Sequence, residues 1–223
     1  MRLVVVSTGL DAPTKSRCLD SVKSQRGVSG VVHVYIEASG QSPRLSATEN
    51  FRRVVMALDP SDVVVCLDGD DWLAHDLALV RVEAQHALGA WVTYGSFAAA
   101  PEPPGSGRPG FTRPYPSSAY RREPWLASHL KTFRAGLYQR IREDDLRVDG
   151  EWCMAQDLAM MFPILEMAGP SRIVHISDVL YVYNWATSNA CRGTLDERNR
   201  ELAHASLHRQ REPYAELPRG ATP

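Results

Sequence analysis

Cysteine is scarce and scattered in this chain: four in 223 residues, at Cys18, Cys66, Cys153 and Cys191, with no two close together. That spacing excludes a zinc ribbon or a disulfide framework and fits a reducing compartment. Net charge is also nearly absent, at −1, so no overall field marks the chain as a binder of nucleic acid or of a membrane surface. No apolar stretch is long enough to span a bilayer. The opening Met1-Arg2-Leu3-Val4-Val5-Val6-Ser7-Thr8 reads as a strand, too short and wrongly flanked for a secretory leader. A cytoplasmic enzyme is therefore the expectation. The rest of the composition is ordinary, with 44% apolar and 23% charged residues, and the length suffices to bury one good core.

Up to residue 97 the chain alternates two textures. Residues 3–7, 31–36, 62–67 and 90–94 read as strands. Residues 13–25, 47–58 and 74–88 read as helices, the first with Cys18, Leu19 and Val22 on its apolar face, the second ended by Asp59-Pro60 and the third closed by Gly89. This order predicts an α/β fold with a mostly parallel central sheet and right-handed crossovers. Its carboxyl edge would carry Thr8, Glu37 and Asp68 together. Prolines and glycines then crowd residues 98–118, from Pro101 to Pro116, and rule out regular structure there; such a loop is either functional or a mere insertion. Beyond it, residues 125–141 are predicted to form a helix with Leu126, Leu130, Phe133 and Leu137 inward. Residues 155–168 form an apolar helix ended by Gly169-Pro170, with Pro163 kinking it or marking its first turns. Residues 172–176 and 179–183 are two short strands, a mixed addition to the sheet, and residues 195–211 a charged terminal helix.

The chemistry concentrates at Val63-Val64-Val65-Cys66-Leu67-Asp68-Gly69-Asp70-Asp71-Trp72. Five apolar residues, a strand buried on both faces, end in three carboxylates within four positions. Ligands of open α/β sheets bind just outside such strand ends. Like charges packed there call for a cation, and oxygen-only ligands suit a hard one, Mn²⁺ or Mg²⁺, shared with a phosphate. Asp and Gly are also plain turn residues, and Asp71 alone could cap the next helix. A calcium loop of the EF-hand kind fails, because Trp72, Leu73 and Ala74 stand where further oxygen ligands belong. An aspartate-nucleophile phosphatase motif is weak, because Trp72 replaces its Thr or Val. A second centre is Gln156-Asp157 at a helix start. Asp157 there complements the helix dipole, or serves as a general base on a rigid element.

These residues resemble the family 2 glycosyltransferases. The resemblance runs from residue 3 to about 183 and rests on four motifs in order. They are the opening strand with Arg17-Cys18-Leu19-Asp20-Ser21-Val22-Lys23-Ser24-Gln25, then Glu37, then Leu67-Asp68-Gly69-Asp70-Asp71-Trp72-Leu73 in place of the Asp-x-Asp signature, then Gln156-Asp157-Leu158. Ser128-His129-Leu130-Lys131-Thr132-Phe133-Arg134 and Leu180-Tyr181-Val182-Tyr183-Asn184 look like a subgroup of small, single-domain members. The resemblance implies a GT-A (Rossmann-like) fold, a nucleotide-sugar donor and a divalent ion. By matching position, Thr8 and Glu37 would touch the nucleoside, Asp68 the ribose side with Asp71 nearby, and Asp70, with Asp68, the metal on the donor diphosphate. Asp157 would be the base of an inverting transfer of a hexose or pentose to a hydroxyl. It also implies one domain, with a donor-binding half at residues 1–97, the loop at 98–118, an acceptor and base half at 119–194, and a helix and tail at 195–223. Three departures stand out. Glu37 lacks an acidic neighbour, Gln156 replaces the usual Glu, and Asn184-Trp185-Ala186-Thr187-Ser188-Asn189 lacks a metal-binding His. His175 reads as a core or surface histidine.

Residues 108–147 hold nine Arg or Lys against four acids, inside a nearly neutral chain. A solvated helix face accounts for this, or an anionic partner does, with Trp125, His129 and Arg134 lining an acceptor site. A nucleic-acid acceptor is the minority form of that idea, with Arg121 and Arg122 as its test. Two other functions compete with the transferase. A nucleotidyltransferase would show a Gly-rich basic loop after the first strand, which Gly9-Leu10-Asp11-Ala12-Pro13 does not supply. A non-catalytic nucleotide- or sugar-binding module would keep its role without Asp70 and Asp157.

Overall fold

The structure, a computed structural model, describes residues 1–9, 14–37, 43–101, 110, 112–187 and 194–223. The expected alternation is present in its first half: β1 (Leu3–Gly9), α1 (Lys15–Lys23), β2 (Val31–Glu37), α2 (Pro43–Met56), β3 (Val63–Cys66), α3 (Ala78–Ala87) and β5 (Val92–Ala100). A two-residue strand, β4 (Trp72–Leu73), lies between β3 and α3, so α3 begins later than the apolar spacing suggests. The segments at 10–13, 102–109 and 188–193 include Leu10-Asp11-Ala12-Pro13 and most of the Pro/Gly-rich loop, and the expectations for them lie outside the described residues.

The second half adds β6 (Lys131–Arg134), β7 (Arg147–Val148), β8 (Glu151–Trp152) and β9 (Ile173–Asn184); β7 and β8 form a two-stranded ribbon, and one seven-stranded sheet is ordered β2-β1-β3-β6-β5-β9-β4. β1 pairs in parallel with both β2 and β3, and β5 pairs in parallel with the long β9 (Ile173–Asn184). Between the two parallel groups runs β6 (Lys131–Arg134), antiparallel to β3 and to β5. This corrects the helix expected over 125–141, of which only α4 (Ala135–Gln139) is helical. The misreading has a physical source. β6 is central and buried, yet carries Lys131 and Thr132, whose partners come from distant sequence. Thr132 shares hydrogen bonds with His86 (2.8 Å) and Thr93 (2.6 Å). The two short strands expected near the end are one, β9, whose register against β5 shifts around Ser96; the irregularity broke the apolar pattern in two.

Alternation along the strands builds a core on each face. Val4, Val6, Val64, Cys66 and Phe133 pack with α2, α4 and α5 (Gln156–Ala168), and Leu3, Val5, Val63, Val65 and Leu67 pack with α1 and α3. Pro163 sits well inside α5, and Gly169, at φ 69°, ends that helix. The final helix, α6 (Leu195–Gln210), starts with a capping box between Thr194 and Glu197. No helix among the described residues is long and apolar enough to cross a membrane.

Candidate active site

Parallel pairing brings three strand ends to one edge. Thr8 lies opposite Ile36, Gly9 opposite Glu37, and the Gly69 amide donates to the Thr8 carbonyl at 2.8 Å, which seats Asp68 beside β1. Glu37 forms an ion pair with Lys15, whose ammonium lies 4.9 Å from the centre of the Tyr35 ring. Gly9 and Gly69 allow this convergence. A Cβ on Gly69 would stand 2.7 Å from the Tyr35 hydroxyl and 2.9 Å from the Gly9 Cα, closer than packed atoms tolerate.

The three carboxylates separate into two kinds. Asp71 is buried and turned inward: the Tyr181 hydroxyl donates to it, and so does the Asn184 amide at 2.6 Å. Further bonds fix the loop's backbone. The Asp68 amide donates to the Tyr181 hydroxyl at 3.3 Å, and Asn184 Nδ2 donates to the Asp70 carbonyl at 3.2 Å. β4 then pairs with β9, Trp72 opposite Val182 and Leu73 opposite Tyr181. The sequence groups Asp71 with the donor-facing acids, but its carboxylate is the peg that fastens the loop to β9. Burial pushes its pKa up to about 8, with the charge of Asp68 adding, against the pull of its two donors. Asp68 and Asp70 are only half-buried. Burial also raises Asp68, to about 6, with Lys131 opposing and Asp157 adding.

Asp157 arrives from the other side, in the first turn of α5, where Thr48 of α2 donates to the neighbouring Gln156 at 3.2 Å. Its carboxylate accepts from the Lys131 ammonium at 2.7 Å. Lys131 lies opposite Cys66 on β3, two residues before Asp68. Burial works against its charge, but Asp157 and Asp68 outweigh it and its pKa is raised. Sequence reading missed Lys131. The available signal was a single cation between Leu130 and Phe133, in a stretch apolar enough to be interior.

The remaining residues scatter. His129 stacks on Tyr181, with ring centres 4.3 Å apart, and meets Phe97 edge-on. Burial and the nearby Lys131 charge push its pKa down to about 3. Its Nδ1 is buried without a hydrogen-bond partner. It therefore lies next to the carboxylates. Trp125 packs edge-on against Phe162 of α5 at 5.7 Å. Arg134 is not brought to the site. It lies opposite Val63, at the amino end of β3, and donates to the carbonyls of Ser61 (2.7 Å) and His86 (3.0 Å). β6 runs antiparallel, so its two ends lie at opposite edges of the sheet. His175 is packed as expected, bonded to Thr112 at 2.9 Å and edge-on to Tyr94. Part of the basic surplus is used inside the fold: Arg121 pairs with Glu166 and Lys131 with Asp157, while Arg142 and Arg147 pair with Asp145 and Glu143 of the same stretch. An open hollow of about 420 Å³ beside α1, lined by Val22, Val31 and His33 among others, lies toward the amino end of β2 and away from the acids.

Among the described residues, no three His, Cys, Asp or Glu side chains are grouped to hold a metal ion. Asp68 and Asp70 offer oxygen ligands from one fixed loop. That donor set fits a hard cation that takes its other ligands from phosphate and water, not a cage made by protein alone.

No family model matches this sequence, and no curated protein matches it. Solved structures do. The Staphylococcus aureus protein TarS, residues 1–349, superposes with a TM-score of 0.56 at 14% identity, over 93% of this chain and 65% of that one. The same fragment in complex with UDP-GlcNAc gives 0.57 at 12% identity, over 93% and 66%. A glycosyltransferase involved in the glycosylation of the major capsid of PBCV-1 gives 0.50 at 12% identity, over 91% of this chain and all of that one. The architecture is thus a GT-A-like fold, shared with these structures. The chain spans slightly less than two thirds of the TarS fragment it matches.

Proposed function

We propose that this chain is a glycosyltransferase that moves a sugar from a nucleotide-sugar donor to a hydroxyl acceptor, inverts the anomeric centre, and belongs with the family 2 enzymes. The observation that carries the reading is the meeting of Asp68 and Asp70, at the carboxyl edge of three parallel strands, with the Lys131–Asp157 pair across from them. On this reading Thr8 and Glu37 flank the nucleoside, and residues 1–97 bind the donor while 119–194 carry the base and the acceptor. Asp68 and Asp70 hold Mn²⁺ or Mg²⁺, which when bound stabilises the charge that develops on the departing diphosphate. Asp157 takes the proton of the attacking hydroxyl from the face opposite the leaving group. Among the described residues Cys18, Cys66 and Cys153 are buried free thiols, in keeping with a reducing, cytoplasmic setting.

UDP and UDP-GlcNAc are the first probes, because a structural neighbour binds UDP-GlcNAc. Thermal shift is measured with UDP, GDP, CDP and dTDP, each with and without Mn²⁺, followed by release of nucleoside diphosphate from the matching sugar donors. Metal-dependent stabilisation and diphosphate release are expected. Release of inorganic pyrophosphate from a nucleoside triphosphate supplied together with a sugar phosphate, with no diphosphate released from the sugar donors, would make the chain a nucleotidyltransferase instead. Stabilisation without turnover of any donor would make it a binding module.

A further inference from the structure

We propose that Lys131 is a positioning residue for the transfer step: fixed in the interior of the sheet, its ammonium holds the Asp157 carboxylate in the orientation from which it takes a proton. The inference rests on the function proposed above and adds a residue to it. The geometry carries it. The Lys131 side chain is 3% exposed, whereas Asp157, 2.7 Å away, is 42% exposed. A lysine is costly to bury and is kept inside only against a partner. The bidentate Arg121–Glu166 pair, by contrast, is sealed at both ends, with side chains 7% and 6% exposed. Here the cation is sealed and its carboxylate partner is open to solvent. The ammonium is carried by β6, a central strand paired with β3 at Lys131 itself and with β5 at Thr132 and Phe133. The carboxylate itself sits on the first turn of a separate element, α5. Lys131 therefore ties the base on α5 to the sheet that carries Asp68, and so fixes the base relative to the donor.

The test uses the full chain, with donor hydrolysis as the reaction and water as the acceptor. UDP-GlcNAc and a panel of other nucleoside-diphosphate sugars are supplied with Mn²⁺. Four variants are compared: Lys131→Met, Lys131→Arg, Asp157→Asn and the double variant Lys131→Met/Asp157→Asn. Asp157→Asn is expected to lower kcat by about 100-fold or more, in the range of general-base catalysis. Lys131→Met is expected to lower kcat roughly 30-fold with donor KM within about threefold, Lys131→Arg to recover part of that loss, and the double variant to be no slower than Asp157→Asn alone. A wild-type kcat in Lys131→Met, a loss confined to KM, or losses that multiply in the double variant would overturn the inference. Should Lys131→Met fail to fold, Lys131→Arg decides: a drop in kcat in the wild-type background and none beside Asp157→Asn supports the role, and any other pattern removes it. If Asp157→Asn keeps the wild-type rate, the base assignment fails and the role of Lys131 with it. If no donor is turned over, the functional reading itself fails.

Discussion

The hydroxyl of Tyr181 donates a hydrogen bond to the carboxylate of Asp71, joining β9 to the loop after β3 across 110 residues of chain. The same oxygen accepts from the Asp68 amide, so one side chain fixes both ends of the four-residue acidic turn. Tyr181→Phe removes the donor and leaves Asp71 buried with the Asn184 amide. The variant is expected to lose about 1 kcal/mol in urea unfolding at neutral pH, where burial keeps Asp71 mostly protonated, and more above about pH 8, where the bond is to a charged group. It should also bind UDP with Mn²⁺ more weakly, because the loop bearing Asp70 loses one of its ties to β9. Unchanged stability and affinity together would contradict the pegging role of Asp71.

Asp70 is half-buried on the same loop, and its carbonyl, not its carboxylate, is what Asn184 holds. Asp70→Asn is expected to leave the melting temperature without ligand within about 2 °C, as a substitution away from packed features does. It should abolish the additional stabilisation that Mn²⁺ gives to the UDP complex, and EDTA should do the same to the unaltered chain. Retention of the Mn²⁺ effect in Asp70→Asn would remove the metal assignment.

Gly69→Ala tests the backbone approach. The added methyl meets the Tyr35 hydroxyl and the Gly9 Cα at under 3.0 Å, and the second of these cannot swing aside. A cost of about 1–3 kcal/mol is expected from the overpacking, with loss of donor turnover as β1 and the loop are forced apart. Chemical denaturation and the diphosphate-release assay read the two effects.

Two sets of buried groups give stability opposite slopes with pH. Asp71 and Asp68 have folded pKa values raised to about 8 and about 6, so the native state holds more protons than the unfolded chain between about pH 4 and those values. Their contribution is full in acid and is lost as pH rises toward 8. His86, His129 and His208 are pushed down by burial, to about 3, about 3 and about 4. Their contribution is full above about pH 6.5 and is lost as pH falls below it. A stability maximum near about pH 6 to 6.5 is expected, and Asp71→Asn should flatten the alkaline side. Parallel melting curves for the two proteins between pH 6 and 8.5 would show that Asp71 is charged in the native state throughout.

Arg121 and Glu166 form a sealed pair that organises the chain's end. Arg121 donates to both Glu166 oxygens at 2.6 and 2.8 Å and to the His208 carbonyl at 2.5 Å, while the Tyr214 amide donates to Glu166 at 2.9 Å. Removing either partner alone is expected to cost about 3–5 kcal/mol, and replacing both by Met and Leu should recover most of it. For the same reason, charge reversal at Arg121 would damage the fold, so any effect on nucleic-acid binding must be read at the exposed Arg122.

The parts of the site that lie on uniform stretches of sequence were readable. Three valines marked β3 because both of its faces are covered, and the acids after it fell where parallel strands end. Asp157 was readable as a helix-start carboxylate. β6 was not, because the polar groups that stabilise it within the sheet, His86, Thr93 and Asp157, lie far away in sequence. Misassigning that strand hid Lys131 and put Arg134 at the wrong end. Asp71 was grouped with its neighbours because its inward turn depends on Tyr181 and Asn184, which no local pattern announces.

β6 also makes the charge behind the acids a matter of pairing. Successive residues of a strand face opposite sides, so a slip of one position against β3 would swing the ammonium to the far side of the sheet and bring Leu130 or Thr132 into its place. The hydrogen-bond ladder that joins the two parallel halves thus decides whether a cation or a neutral group stands behind Asp157. A substitution that loosens the Val64–Phe133 pairing, nowhere near the acids, would reach them through alignment alone.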